Sequence, residues 1–258
     1  MAKKAFIVAI DAYPSPYTLR SCLNDLADLQ TTLQSKGFTV TSIKNSMAKK
    51  ASILAGLSSL VAGAVSGDSI VFAFFGHGSY VAGPEPDGRT ECICPYDVFS
   101  GRLIRDDELA AILAGIRPGV ACDVILGSCY SGTGTRAISE SIEENPIIGD
   151  YRQPYFMPVS TAEPPEMKAV VPVPAMNHVL WAACRDNQTA YEVLSGGKYR
   201  GLFPLYLCWA LRNFPTYTRA QVDAVVSSYV SGVIASQVPQ TEGQAADLAA
   251  LPFRKGSV

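Results

Sequence analysis

The sequence has no block of basic residues. Its 21 lysines and arginines are offset by 23 aspartates and glutamates, which leaves a net charge of −2. A protein that binds nucleic acid or an anionic membrane surface concentrates positive charge, so neither is expected as a partner. No stretch approaches the roughly 18 consecutive apolar residues of a membrane span, and the apolar run that starts the chain is too short for a signal peptide. We therefore expect a soluble, cytoplasmic protein.

Cysteine and histidine do not occur at the spacing of a metal site. Cys92 and Cys94 lack the second pair, or the histidines, that a zinc site needs. The seven cysteines are an odd number in a chain without an export signal, which favours thiols in a reducing compartment over a disulfide framework. Histidine is scarcer, with only His77 and His178. Histidine-dependent chemistry has only these two candidates.

The hydrophobic content of 48% is that of a globular protein with an ample core. Strand-length apolar runs alternate with segments of helical periodicity, which predicts an α/β three-layer sandwich: a central, mostly parallel six-stranded sheet flanked by about five helices. Strands are predicted at residues 3–10, 38–43, 69–75, 123–126 and 177–184, with a sixth near the end of the chain, and helices at 22–36, 48–65, 106–115, 203–213 and 219–237. Residues 133–176 contain seven of the 17 prolines and are predicted to form a long loop or linker.

Two of the buried strands end in a glycine-rich break that carries a reactive side chain. His77 follows the strand at residues 69–75, and Cys129 follows the strand at residues 123–126. The carboxyl ends of strands are where α/β proteins build their sites. If the two strands are neighbours, the histidine and the cysteine are presented side by side.

These two residues have the chemistry of a cysteine hydrolase. A cysteine attacks a carbonyl as the thiolate, and a turn of small residues leaves backbone N–H groups for the developing oxyanion. His77 lies between two glycines that allow close approach of a substrate, whereas His178 opens a strand after the long loop. The alternative is that Cys129 is a small core residue at a strand end, which is the commoner case for a cysteine considered alone.

Several short motifs occur in an order typical of one family. They are CLND before the first helix, GHG and SCYSG after the two strands, CRDNQTAYE after the fifth strand, and VPQTEG near the end. Together they resemble the metacaspases and their bacterial caspase-like relatives over nearly the whole chain. The resemblance implies a single caspase-like domain over 1–258, with a large-subunit-like segment at 1–132, a linker or cover loop at 133–176 and a small-subunit-like segment at 177–258.

The resemblance implies a cysteine endopeptidase of peptide or protein substrates. Cys129 would be the nucleophile, His77 would protonate the leaving amine, and the N–H groups of Gly78 and Cys129 would form the oxyanion hole. It also implies a monomer without a required cofactor, and such bare catalytic domains often answer to an activating protein, which the sequence does not identify. Two alternatives stay open: a degenerate caspase-fold binding or regulatory module, and a cysteine hydrolase of non-peptide amides.

The implied substrate pocket departs from the family pattern. Metacaspases cleave after Arg or Lys by means of acidic pocket groups, and Cys22 and Asp25 occupy matching positions. Gly127 stands where an aspartate is usual, and Phe75 where a small polar residue is usual. We therefore expect a weakened preference for Arg or Lys, with a smaller or apolar residue as the alternative. Asp186 could supply the missing charge or be a turn aspartate.

The implied calcium site is also incomplete. Asp106 and Asp107 match an adjacent pair of the carboxylates that bind calcium in many metacaspases. Thr90 replaces a further aspartate, and the fourth has no counterpart near Arg136. Because calcium takes six to eight oxygens, we expect weak binding or none, and we interpret the two aspartates as the start of a helix.

The proline-rich stretch matches the linker that is cut during maturation in many relatives. Possible self-cleavage points within it are Arg136, Arg152 and Lys168. The alternative is an uncut loop that covers the site.

Overall fold

The computed structural model describes residues 1–83, 88–128, 176–185 and 188–256, together with the backbone of a two-residue strand at Tyr151–Arg152. Its strands are β1 (Lys3–Ala9), β2 (Thr39–Lys44), β3 (Ser69–Phe75), β4 (Gly78–Ala82), β5 (Arg89–Ile93), β6 (Ile104–Arg105), β7 (Ala121–Leu126), β8 (Tyr151–Arg152), β9 (Val179–Ala182), β10 (Glu192–Ser195), β11 (Lys198–Gly201) and β12 (Gln240–Glu242). Its α-helices are α1 (Cys22–Ser35), α2 (Lys50–Ala62), α3 (Asp106–Leu113), α4 (Leu202–Asn213), α5 (Arg219–Val233) and α6 (Ala245–Leu248).

Six strands form the central sheet, in the order β12-β9-β7-β3-β1-β2. All neighbouring pairs are parallel except β12, which runs antiparallel to β9. Every residue of β3 and β7 is buried, as expected for strands covered on both faces. The predicted six-stranded, mostly parallel sheet is confirmed, and β3 and β7 are neighbours at its centre.

Helices complete the three-layer sandwich. One set packs α1 against α4 and α4 against α5, and a second set packs α2 against α3. The inward stripe of α1 consists of Leu26, Leu29 and Leu33, each at most 1% exposed, at the helical spacing that the sequence shows. In the part of the chain that the structure describes, no helix is long and apolar enough to cross a membrane.

Several helix ends differ from the prediction by one to four residues, and the start of α2 and the end of α5 have a local structural cause. α2 begins at Lys50 rather than at residue 48, because Asn45–Met47 form a separate 3₁₀ turn in which Asn45 has a φ of +47°. α5 ends at Val233 rather than at residue 237. There the fully buried amide of Gln237 accepts from the N–H of Tyr191 and donates to the carbonyl of Ala183, which directs the chain away from the helix.

Two small antiparallel sheets were not predicted as such. One has the order β4-β5-β6, of which only an extended piece around Cys92 was expected, and the other has the order β11-β10-β8. Their strands are two to five residues long and mix charged or polar with apolar residues, so that their hydrophobic pattern is weak. β8 lies inside the stretch 133–176 that was predicted as a linker or cover loop, and it includes Arg152.

A buried ion pair ties β7 to the carboxyl-terminal part of the chain. The guanidinium of Arg219 donates from Nε and Nη2 to the two carboxylate oxygens of Asp123, at 2.8 and 2.7 Å. The indole N–H of Trp181 donates to the same carboxylate at 2.9 Å, and Nη1 of Arg219 donates to the carbonyls of Asp247 and Arg254. One carboxylate in β7 therefore holds β9, α5 and the final segment in register.

Candidate active site

The carboxyl ends of β3 and β7 meet at one edge of the sheet. Phe74 of β3 pairs with Leu126 of β7, and the N–H of Gly127 donates to the carbonyl of Phe74 at 2.9 Å. The expectation that the two strands are neighbours is confirmed. His77 follows β3 by two residues. Cys129 lies outside the described residues, the last of which on this side is Ser128.

The side chain of His77 is buried and held by a backbone carbonyl. It is 1% exposed, and its Nε2 lies 2.6 Å from the carbonyl oxygen of Tyr17, in the loop between β1 and α1. A carbonyl only accepts hydrogen bonds, so Nε2 carries a hydrogen, and in the neutral ring the lone pair lies on Nδ1. The loop therefore fixes both the tautomer and the orientation of the imidazole.

The backbone of His77 belongs to a closed set of three hydrogen bonds. The hydroxyl of Tyr13 donates to the carbonyl of Cys94 at 2.6 Å and accepts from the N–H of His77 at 3.2 Å. The N–H of Cys94 donates to the carbonyl of His77 at 2.9 Å. Burial raises the pKa of Tyr13 well above its usual value, so the phenol keeps the proton that it donates. His77 is thus held through its ring and through its backbone.

The glycine before His77 is required by close packing. A Cβ at Gly76 would lie 2.6 Å from the hydroxyl oxygen of Tyr13 and 2.8 Å from the ring of Phe74. The rings of Tyr13 and His77 have centroids 4.7 Å apart, and the edge of Tyr17 packs against His77 at 6.2 Å. The sequence suggested that the glycines beside His77 allow close approach of a substrate; at Gly76 the structure shows a steric requirement of the protein itself.

Sequence reasoning missed the residues that hold the β1–α1 loop. The amide oxygen of Asn45 accepts from the N–H groups of Asp11 and Ala12, at 2.9 and 3.1 Å. The carboxylate of Asp11 in turn accepts from the N–H groups of Cys22 and Leu23 at the start of α1. The only sequence signal was the aromatic and proline-rich character of the loop that follows Asp11.

Asp25, the expected pocket carboxylate, is buried and already engaged. It is 1% exposed, and the N–H of Gly201 donates to both of its oxygens, at 2.9 and 3.0 Å. Burial raises the pKa of Asp25 well above its usual value, which disfavours the charged form. Cys22 is fully buried nearby, and burial, followed by the charge of Asp11, raises the pKa of its thiol.

The two departures from the expected pocket pattern are in contact. A Cβ at Gly127 would lie 2.6 Å from Cδ1 of Phe75 and 3.5 Å from Cγ of Pro204. Pro204 also lies beside Gly201, where a Cβ would meet its Cδ at 2.9 Å and Oδ2 of Asp25 at 3.0 Å. Pro204 therefore lies between Gly127 and Gly201, next to the carboxylate of Asp25, and the ring of Phe75 covers Gly127.

The remaining predicted residues do not join this cluster. Asp106 and Asp107 are exposed in the first turn of α3, where the N–H of Asp107 donates to Asp106, and among the described residues no group of three or more His, Cys, Asp or Glu is arranged to hold a metal ion. The backbone of Arg152 pairs with β10. Arg136, Lys168 and Asp186 lie outside the described residues.

The family is settled by comparison with known proteins. The family model described as the metacaspase, peptidase C14 domain matches residues 3–137. The chain belongs to the metacaspase family. Metacaspase-1 of Mycosarcoma maydis is 26% identical over 284 residues, which cover 92% of this chain and 69% of that protein. Metacaspase-1 of Yarrowia lipolytica is 37% identical over 145 residues, which cover 51% of this chain and 32% of that protein.

Solved structures show the same fold. A protein of Geobacter sulfurreducens has a TM-score of 0.73 at 22% identity, with 99% of this chain and 100% of that chain covered. Caspase-1 of Spodoptera frugiperda has a TM-score of 0.64 at 15% identity, with 98% and 92% covered. The fold is therefore caspase-like, as the sequence predicted. As a metacaspase, the protein is a cysteine-type endopeptidase.

Proposed function

We propose that this metacaspase hydrolyses peptide bonds with Cys129 as nucleophile and His77 as its acid–base partner. The observation that carries the proposal is the setting of His77, which is buried at the carboxyl edge of the sheet with Nε2 fixed on the carbonyl of Tyr17. The strand beside it, β7, ends three residues before Cys129. A histidine oriented in this way resembles the oriented base of other cysteine hydrolases.

The hydrogen bond to Tyr17 supports the choice of Nδ1 as the nitrogen that transfers the protons. The thiolate of Cys129 attacks the carbonyl carbon of the substrate, and the C–N bond then breaks as Nδ1–H of the imidazolium passes its proton to the leaving nitrogen. Water then attacks the thioester, Nδ1 takes a proton from that water, and the sulfur leaves as thiolate. The N–H groups of Gly78 and Cys129 are proposed to stabilise the oxyanion in both steps.

Peptide hydrolysis tests the proposal directly. A fluorogenic panel varies the residue before the cut among Arg, Lys, Asp, Gln, Leu and Ala, with and without calcium. Cys129→Ala is expected to abolish turnover, and His77→Gln to lower kcat/KM by about 10² to 10⁴. His178→Gln is the matched control, because His178 is the other histidine of the chain and lies before β9; it is expected to keep the wild-type rate.

The same panel separates the two alternative functions. A degenerate binding module predicts no turnover and no labelling of Cys129 by an electrophilic peptide. A hydrolase of non-peptide amides predicts a thiol that is labelled, with no turnover of any peptide. Equal loss of activity in His77→Gln and His178→Gln would contradict the assignment of His77.

We also propose an order of self-cleavage and activity that does not require calcium. Cutting after Arg152 requires its backbone to leave the pairing with β10, so we expect Arg136 or Lys168 to be cut first. Asp106 and Asp107 alone offer few ligands for calcium, so we expect activity without it. Mass spectrometry of the wild type and of Cys129→Ala after incubation, each with calcium and with a chelator, tests both points.

We further propose a monomeric enzyme that is active in the cytoplasm.

A further inference from the structure

Phe75 and Gly127 occupy equivalent positions in the sequence relative to the proposed dyad. Each lies two residues before one of its members, Phe75 before His77 and Gly127 before Cys129. β3 and β7 are paired neighbours, and a Cβ built on Gly127 would overlap the ring of Phe75 at 2.6 Å. A substrate residue that precedes the cut enters next to the nucleophile, so these two positions shape the space that receives it.

This space is filled by apolar rings. Phe75 is 1% exposed, and its Cδ1 and Cε1 both lie within 3.2 Å of the Cβ position of Gly127. Pro204 closes the next part of the space, between Gly127 and Gly201. Because Phe75 is buried and protein interiors are close-packed, its ring fills the volume beside Gly127. A long side chain that entered beside Gly127 towards Asp25 would therefore meet the rings of Phe75 and Pro204.

The carboxyl group of Asp25, beside Pro204 and Gly201, is also poorly suited to bind a cation. A guanidinium is held well by a carboxylate that offers two oxygens. Both oxygens of Asp25 already accept the N–H of Gly201, and burial raises the pKa of this carboxyl. A basic group moved out of water towards Phe75 would lose its hydration against an apolar ring, which disfavours binding.

We infer that Phe75 and Gly127 set the specificity of this enzyme for a small or apolar residue before the cut and exclude Arg and Lys. This inference rests on the proposed cysteine–histidine mechanism. Gly127, directly after β7, has no side chain, and the ring of Phe75 at the end of β3 fills the volume that a side chain there would occupy. The space left for the substrate residue is therefore short and apolar.

Covalent peptide probes measure this specificity even where turnover is slow. The probes are peptidyl acyloxymethyl ketones that carry Ala, Val, Leu, Arg or Lys at the position next to the reactive group. The rate at which each labels Cys129 in the full chain is followed by mass spectrometry. We expect the fastest labelling from Ala, Val or Leu, at least about tenfold above Arg and Lys.

Variants then reverse the preference. In Phe75→Ser combined with Gly127→Asp, the ring is removed and a carboxylate is added in its place, and the Arg-to-Ala ratio of labelling rates is expected to rise by about tenfold or more. Gly127→Asp alone is expected to be poorly folded because of its overlap with Phe75. Phe72→Leu is the matched control, because Phe72 lies on β3 and packs against Phe6 instead; its ratio is expected to equal that of the wild type.

The outcomes separate the inference from the mechanism. Labelling by apolar probes with the ratio reversed in the double variant supports the inference. Wild-type labelling that is fastest with Arg or Lys overturns it while leaving the mechanism intact, and loss of that labelling in Asp186→Asn would assign the cation anchor to Asp186. A Cys129 that no probe labels overturns the proposed mechanism itself, and the inference with it. Should the double variant not fold, the wild-type ranking alone decides.

Discussion

Replacement of Arg219 by methionine tests how β7 is held at the centre of the sheet. Arg219 and Asp123 are at most 1% exposed, and the arginine makes two hydrogen bonds to the carboxylate and two to the carbonyls of Asp247 and Arg254. Methionine keeps the apolar length of the side chain but removes all four donors. Asp123 then retains, of the hydrogen bonds described here, only the one from Trp181. The variant therefore leaves a buried carboxylate without its cation.

The expected cost is large. Loss of one partner of a buried ion pair costs about 3 to 5 kcal/mol, because the remaining charge stays desolvated. Unfolding entropy of about 2.1 cal/mol/K per residue, applied to 258 residues, gives about 0.5 kcal/mol/K. A loss of about 4 kcal/mol therefore lowers Tm by about 7 °C. A surface pair should cost much less, and Arg102, whose side chain is 61% exposed and lies 3.8 Å from Asp97, provides the comparison.

Thermal unfolding followed by circular dichroism measures both variants at one pH and one scan rate. We expect Arg219→Met to unfold about 7 °C below the wild type and Arg102→Met within about 1 °C of it. A similar small shift in both would refute the reasoning, since it would mean that the buried pair contributes no more than an exposed one. A large shift in Arg102→Met alone would refute it as well.

Three further outcomes are expected. Tyr13→Phe removes the hydroxyl that contacts both His77 and Cys94, so the free energy of unfolding in urea titrations should fall by about 1 to 3 kcal/mol. Labelling of Cys129 by an electrophilic peptide should also slow, and an unchanged labelling rate would show that the hydroxyl does not position His77. Burial raises the pKa of Asp25, so the native state keeps a proton that the unfolded state releases. The free energy of unfolding should therefore fall as the pH rises from about 4 towards the raised pKa. Asp25→Asn should remove this decline, and an unaltered pH profile in that variant would contradict the prediction. Burial raises the pKa values of Cys92 and Cys208 to about 12, so both thiols should resist iodoacetamide in the native protein while Cys129 reacts, as peptide mapping would reveal.

The sequence was sufficient for the layers of the fold and for the position of His77 at the carboxyl edge of the sheet. Long apolar runs such as residues 69–75 and 123–126 carry a strong strand signal, and the order of strands and helices limits the topologies available. The glycine-rich breaks after these runs located His77 at the edge where it lies. Strands of four residues that mix charged, polar and apolar side chains, such as β10 and β11, carry little hydrophobic pattern, which is why the two small sheets were not predicted.

Contacts between distant residues were beyond sequence reasoning. Tyr17 and His77 are 60 residues apart in the chain, and Asp25 and Gly201 are 176 apart. In both cases one partner is a backbone group, which any residue type carries and which leaves no trace in composition or periodicity. The carbonyl that orients His77 and the N–H that engages Asp25 become visible only when the loops are placed in three dimensions.

The two unusual pocket positions show the same limit more sharply. Considered in the sequence, Gly127 and Phe75 are separate losses: one removes an acidic group, and the other adds an obstruction. In the structure they are one change, since the ring occupies the space in which a side chain at position 127 would begin. Close-packed interiors couple neighbouring positions in this way, because volume removed on one strand must be replaced from another. Reversal at either position alone should therefore create a clash or a cavity, and only the paired substitution should restore a pocket that admits a basic side chain.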